Sequence, residues 1–273
     1  MKRRLFLRTS LAGFSLPWLA PVFARPTQGN IIFRFAVASD GHYGQPDTAY
    51  EKDFANLTKW LKTEKSKKGL DLVFLNGDLF HDDPVVLPGV KALFDQLPTP
   101  YYVIRGNHDR VSEDTWQQTW GYKPNHDFAV GDHAFILADT SNERGDYLCA
   151  NAGWLQQSLE KYTDKKWIFV FMHIPPNKKW TEHGVECAPV MELLEKTPNV
   201  TAIFHGHDHD IDDRKMSGNK PYFFDGHFGG SWGTAYKGYR IVEVYHDGSW
   251  QSYQYNPTAS PVINRHQARA RQH

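Results

Sequence analysis

Cysteine is scarce: Cys149 and Cys187 are the only two in 273 residues. That excludes a disulfide-dense scaffold and leaves no pair at zinc-finger spacing. One bridge and two buried thiols both stay open, because geometry and not count decides. Beyond the N-terminus no stretch approaches the roughly 18 consecutive apolar residues of a membrane span, so none is expected in the mature chain. Neither sign of charge is in excess, with 31 Lys and Arg against 31 Asp and Glu, and no nucleic-acid surface is advertised. No repeat of about 20 to 50 residues is visible. What the chain does have is histidine, 14 residues, and aromatic rings, 14% of the total. Histidine is the side chain most used for metal ligation and for proton transfer near neutral pH.

The N-terminus stands apart. Lys2-Arg3-Arg4-Leu5-Phe6-Leu7-Arg8 is a basic run followed by a mildly apolar stretch from Leu11 to Leu19, and it reads as an export signal rather than an amphipathic helix. Val22-Phe23-Ala24 offers the residues that a signal peptidase reads, which places cleavage after Ala24. The pattern Arg-Arg-x-Phe-Leu-Arg resembles the signal read by the twin-arginine export machinery, which carries proteins already folded. A periplasmic or secreted location is therefore expected. Removal of Lys2, Arg3, Arg4 and Arg8 turns the 31 basic residues into 27 against 31 acids, a mildly acidic mature chain. Residues 1–24 are expected as signal peptide, 25–256 as a single domain, and 257–273, polar and without apolar periodicity, as a disordered tail.

Within the domain, short apolar runs alternate with helix-period segments, the rhythm of a mixed α/β fold. Ile31 to Ser39, Leu72 to Leu75, Tyr101 to Ile104, Ala134 to Ala138, Trp167 to Phe171 and Val200 to Phe204 read as buried strands bounded by Gly, Pro, Asn or Asp. Asp47 to Thr63, Leu87 to Gln96, Asn151 to Tyr162 and Pro189 to Lys196 read as helices. From Ile211 to Tyr255 the alternation is shorter and looks antiparallel.

Five ligand-rich clusters fall where these strands run out into loops, the place where open α/β sheets carry their chemistry. They are Ser39-Asp40-Gly41-His42, Asn76-Gly77-Asp78-Leu79-Phe80-His81, Arg105-Gly106-Asn107-His108-Asp109, Met172-His173-Ile174-Pro175 and His205-Gly206-His207-Asp208-His209. Each alone is a common loop or turn. Together they supply an oxygen and nitrogen donor set suited to first-row divalent metals.

In this order the clusters resemble the signature of the calcineurin-like metallophosphoesterases: Asp-x-His, Gly-Asp, Gly-Asn-His-Asp, His, then Gly-His-x-His. The resemblance covers about residues 31 to 245. It implies a four-layer α/β/β/α sandwich and two divalent ions, Mn, Fe, Zn or Co. Asp40, His42 and His209 would hold one ion, Asn107, His173 and His207 the other, and Asp78 would bridge them. Two ions about 3.5 to 4 Å apart polarise a phosphoryl group and bring the pKa of a shared water towards neutrality. The neutral amide of Asn107 adds no negative charge, which favours an anionic phosphoester substrate.

His108 has no place in that ligand count and is expected to meet the phosphate or protonate the leaving oxygen, with Asp109 orienting its ring. His81 stands where purple acid phosphatases carry Tyr, and the run Gly-Asp-Leu-Phe-His resembles the repair nucleases of the superfamily, so His81 is taken as an active-site residue. Gly41 replaces the aliphatic residue of many members and is expected to loosen the first loop. His205, His227, Trp232 and Tyr236, around a Gly-rich segment, are candidates for the cleft wall. The expected function is hydrolysis of small extracytoplasmic phosphomonoesters or phosphodiesters, with a nuclease or a non-catalytic metal-binding protein as the alternatives.

Overall fold

Side chains on a pleated strand alternate between its two faces, and that period sorts the apolar residues of this chain into three layers of core. The computed structural model describes residues 30–257 and 263–269, so the expected signal peptide, 1–24, lies outside the described residues. The first half runs β1 (Ile31–Ala38), α1 (Tyr50–Lys68), β2 (Leu72–Asn76), α2 (Leu87–Phe94), β3 (Tyr101–Ile104), α3 (Glu113–Trp120), β4 (His126–Val130) and β5 (His133–Leu137). The second half runs α4 (Ala152–Lys161), β6 (Trp167–Phe171), α5 (Ala188–Lys196), β7 (Val200–His205), β8 (Arg214–Ser217), β9 (Lys220–Phe224), β10 (Tyr239–Tyr245), β11 (Trp250–Tyr255) and β12 (Ile263–Ala268).

The strands form two mixed sheets of order β12-β11-β10-β1-β2-β3 and β4-β5-β6-β7-β9-β8. In β1, Phe33, Phe35 and Val37 point between the sheets, whereas Ala36 and Ala38 point outward to helices. β6 does the same with Trp167, Phe169 and Phe171 inward and Ile168 and Val170 outward. Both faces are covered, which is why these strands read as unbroken apolar runs. Phe54, Leu57 and Leu61 of α1, spaced three and four residues apart, join Phe94 of α2 and Trp116 of α3 on the outer face of the first sheet. Leu155 and Leu159 of α4 and Val190 and Leu194 of α5 cover the second. The result is the expected four-layer α/β/β/α sandwich. Each fully buried Leu or Phe adds about 1.5–3 kcal/mol relative to exposure.

Three features depart from the sequence expectation. α3 was not anticipated, because only Trp116 of its eight residues is buried; Ser112 caps its N-terminus by accepting from the Thr115 N–H, and Gly121 ends it at φ 85°. The region after Ile211 is not purely antiparallel, since β9 lies parallel to β7. The C-terminal tail, 257–273, was expected to be disordered, yet its residues 263–268 form β12 and pair antiparallel with β11. Backbone hydrogen bonding to an open sheet edge supplies what apolar periodicity does not.

Cys149 and Cys187 form a disulfide with Cα atoms 5.6 Å apart, which resolves the pairing left open by the count. The bridge joins the loop after β5 to the residue that opens α5. A loop closed over a sequence separation of 38 contributes about 2–4 kcal/mol through the unfolded state. The double variant C149S/C187S is therefore expected to unfold at lower temperature and denaturant concentration than the oxidised wild type; an unchanged midpoint would show that the bridge adds nothing to stability.

Candidate metal centre

The loops that leave β1, β2 and β7 are held in register by their backbones. The N–H groups of Gly41 and His42 donate to the Asp78 carbonyl at 3.0 and 2.9 Å, and Asp40 N–H donates to Gly77 O at 3.1 Å. Asp40, His42, Asp78 and His207 all take left-handed φ values of 59°, 47°, 51° and 70°. Non-glycine residues held there cost on the order of 1–3 kcal/mol each and persist where the surroundings over-determine them. Glycines beside these residues make the close approach feasible. A Cβ at Gly206 would overlap Ser39 Oγ and the Asp40 carboxylate, and one at Gly77 would overlap the His173 ring.

The seven residues expected as metal ligands are all buried. Asp40, His42, Asp78 and His209 form one tight donor group, and Asp78, His173 and His207 a second that shares Asp78. His42 Nε2 lies 3.0 Å from His209 Nε2, and His209 Nε2 lies 3.1 Å from Asp40 Oδ1. Asp78 Oδ2 is 3.6 Å from His42 Nε2 and 3.3 Å from His173 Nε2. Its other oxygen, Oδ1, accepts the His108 backbone N–H at 2.8 Å, which fixes the carboxylate's plane. His173 Nδ1 donates to Asn76 O at 2.7 Å and His209 Nδ1 to Trp232 O at 3.1 Å. These contacts set the tautomer and leave Nε2 of both rings for a ligand.

Asn107 Oδ1, His173 Nε2 and His207 Nε2 are buried acceptors without a hydrogen-bond partner in the protein. Buried polar atoms are normally satisfied, and two imidazole nitrogens, an amide oxygen and a shared carboxylate are the donors a divalent ion takes. The residues therefore fit the dinuclear site.

The titration pattern agrees. Burial holds the His42 and His207 imidazoles down to about 3, so both are neutral near pH 7. Burial also opposes charge on His173, but Asp78 and Asp40 outweigh it and bring its pKa up to about 10. Asp40 and Asp78 are themselves held below the usual carboxylate range, burial being overcome by the neighbouring histidines. Burial opposes charge on His209 as well, and the same two carboxylates push its pKa up against it; in the protein alone the histidines face these carboxylates, and bound cations would take over that role.

His108 stands beside this group, its ring 4.9 Å from that of His42. Asp109 does not orient it, contrary to the sequence expectation. That carboxylate is fully buried and accepts the backbone N–H groups of Leu79, Phe80 and Gly106, so it shapes the loops and not the His108 ring. Asp82 takes the expected role: its Oδ1 lies 2.9 Å from His108 Nδ1 and 3.0 Å from Arg110 Nε. Asp82 was missed because it follows the matched motif in sequence and reaches His108 only through the fold. Its φ of 65° was the local signal, and that is not readable from composition.

His81 does join the site. Its Nδ1 lies 3.1 Å from His42 Nδ1, and its ring stacks on His108 with centroids 4.7 Å apart. Of the proposed cleft residues, Trp232 stacks on His209 at 4.2 Å and stays half-exposed, whereas His205 and His227 are buried. Gly41 does not loosen its loop, because a Cβ there would overlap the Phe228 ring, which packs into the space instead. Tyr147, edge-on to His207 at 4.6 Å, and His183, 6.0 Å from the same ring, carry no motif and were not anticipated.

Residues 33–210, more than half of the chain, match the family described as calcineurin-like phosphoesterase. The chain belongs to that family, a class of metal-dependent phosphoric ester hydrolases. A probable glycerophosphodiester phosphodiesterase, GpdQ, of Arcobacter nitrofigilis is 28% identical over 157 residues, covering 52% of this chain and 57% of that protein. The match thus spans little more than half of that relative. A 3',5'-cyclic-nucleotide phosphodiesterase of Nostoc is 24% identical over 214 residues, covering 69% of this chain and 77% of the relative. A dimetal phosphatase from Danio rerio superposes with TM-score 0.71 at 12% identity, over 89% of this chain and 100% of that one; this likeness shows the fold.

The shared carboxylate makes a stoichiometric prediction. His207→Ala is expected to lower bound metal from about two ions towards one per chain, and Asp78→Ala to lose both, in metal analysis after exhaustive dialysis. Full occupancy in Asp78→Ala would remove it as the bridge. Gly206→Ala is expected to lose metal although it replaces no ligand, because its Cβ would displace the Asp40 carboxylate.

Proposed function

We propose that this chain is a dinuclear-metal phosphodiesterase acting on small phosphoesters outside the cytoplasm. The observation that carries the reading is the pair of buried donor groups joined by Asp78. The phosphodiester relatives of Arcobacter and Nostoc support a diester over a monoester substrate. The N-terminal twin-arginine pattern supports export, and so does the Cys149–Cys187 bridge, since such bridges persist in oxidising compartments.

In this reading Asp40, His42 and His209 hold one divalent ion, Asn107, His173 and His207 the other, with Asp78 between them. The ions supply Lewis-acid polarisation of the phosphoryl oxygens and a water of lowered pKa. The protein's own work is positioning and proton transfer. Asp82 accepts the His108 Nδ1–H, which aims the opposite nitrogen, Nε2, at the leaving oxygen. His81 Nδ1 accepts from His42 Nδ1, which presents His42 Nε2 to the metal group. Asp109 keeps the Gly106–Asp109 loop folded beneath both.

Two variants separate these roles. His108→Ala should retain both metals and lose turnover by about 100- to 10,000-fold, the range of general acid catalysis; unchanged turnover removes His108 from the mechanism. Asp82→Asn should lower kcat more than it raises KM, because the tautomer and orientation of His108 are no longer enforced.

A substrate panel tests the class. Aryl phosphate, bis-aryl phosphate, cyclic nucleotide and plasmid DNA, each with Mn, Zn, Fe or Co, should show turnover greatest on the diesters. Cleavage of DNA alone would assign a nuclease. No turnover with two metals bound would assign a binding protein.

A further inference from the structure

Large exposed apolar side chains are few among the described residues, and two of them, Tyr147 at 44% and Trp232 at 46% exposure, stand against metal-ligand rings. Tyr147 meets His207 edge-on at 4.6 Å, and Trp232 lies flat on His209 at 4.2 Å with 5° between planes. The exposed His183 closes the arc, 6.0 Å from His207 and 6.5 Å from Trp232. Exposed aromatic surface gathered around one site, unlike apolar residues scattered singly, marks a ligand-binding surface.

The arc is fastened from outside. Two residues beyond Tyr147, Cys149 is bridged to Cys187, four residues beyond His183, so one covalent link ties both loops. Thr181 Oγ1 donates to Asp208 Oδ1 at 2.5 Å, pinning the His183 loop to the residue between His207 and His209. Trp232 is held by its carbonyl, which accepts from His209 Nδ1. Three rings on three separate loops are thus set in place, each still exposed.

Their position relative to His108 defines what they meet. His108 adjoins His42, whereas Tyr147 and His183 adjoin His207. Trp232 lies between these sides, on His209, so a diester spanning the two donor groups with its leaving oxygen at His108 can lay its other arm along Trp232 towards Tyr147 and His183. We infer that Tyr147, His183 and Trp232 form a subsite for a planar aromatic group, a nucleobase or aryl ring, on the non-leaving arm of the substrate. This deepens the phosphodiesterase reading and rests on it. A planar ring suits these surfaces because stacking and edge contacts with aromatic side chains accept any flat π-face. A quaternary ammonium would suit an aromatic cage too, and a phosphocholine ester in the test separates the two.

The test uses three diesters with one leaving group: the p-nitrophenyl esters of thymidine 5'-phosphate, of methyl phosphate and of phosphocholine, on the manganese-loaded full chain. Tyr147→Ala and Trp232→Ala should lower kcat/KM for the thymidine ester at least about fivefold relative to the methyl ester. Tyr147→Phe and Trp232→Phe should restore the preference, and metal content, measured in parallel, should stay at the wild-type level. Equal losses on all three esters would assign the rings to supporting His207 and His209 and overturn the subsite. A loss confined to the phosphocholine ester would make the arc a cation cage and likewise overturn it. If wild type hydrolyses none of the three, the phosphodiesterase reading fails, and calorimetry then decides the subsite alone. Thymidine 5'-monophosphate should bind at least about fivefold tighter than deoxyribose 5-phosphate, with the difference lost in Tyr147→Ala; equal binding would overturn it.

Discussion

Asp40 and Asp78 are buried carboxylates at the ends of adjacent parallel strands, β1 and β2, and the site is organised around keeping them charged. Burying an ionised carboxylate is costly unless cations and hydrogen-bond donors compensate it. Here the donors are backbone N–H groups of His207 and His108, and the positive partners are imidazoles or the ions they bind. The left-handed backbone at Asp40, His42, Asp78 and His207 follows from that arrangement, since sharp turns bring the ends of β1, β2 and β7 onto one pair of charges. The two-sheet core below then has to be rigid, and its stacked phenylalanines make it so. Phe74 and Phe171, one from each sheet, lie 4.1 Å apart with 18° between planes.

A second compensated charge lies deeper in the same sheet. Arg34 is buried on β1 and meets Glu64 of α1 at 2.6 Å and Glu243 of β10 at 2.9 Å. With one carboxylate removed the guanidinium would still be paired with the other; losing both would leave a buried charge without a partner. The same strand that ends in Asp40 is thus clamped midway to a helix and to its antiparallel neighbour, so the position of the first metal loop is set by more than its own hydrogen bonds.

Much of this was legible in the sequence. The strands leading to the site are largely apolar runs, and of the donors at their ends the folded chain brings Asp40, His42, Asp78, His173, His207 and His209 into two adjoining groups. What was not legible depends on contacts between segments far apart in the chain. Asp82 pairs with His108 across 26 positions, and Asp109, next in sequence to His108, turns instead to three backbone amides. Tyr147 and His183 have no local pattern, because ring packing against a metal ligand has no fixed spacing. β12 and α3 are polar elements, stabilised by ladder pairing in one case and capping in the other, so a search for apolar periodicity passes over both.

The packing of Phe228 against Gly41 also links two segments that are remote in sequence. The phenyl ring occupies the space that a side chain at position 41 would need, and the Phe228 N–H donates to the carbonyl of Ser39. The ring of Phe54 presses on the same space, so a metal loop with a larger residue at 41 has room only if positions 54 and 228 both give way. Across descendants of this chain the three positions are therefore free to drift together but not singly, and the volume they share is a constraint on how this branch of the fold can diversify.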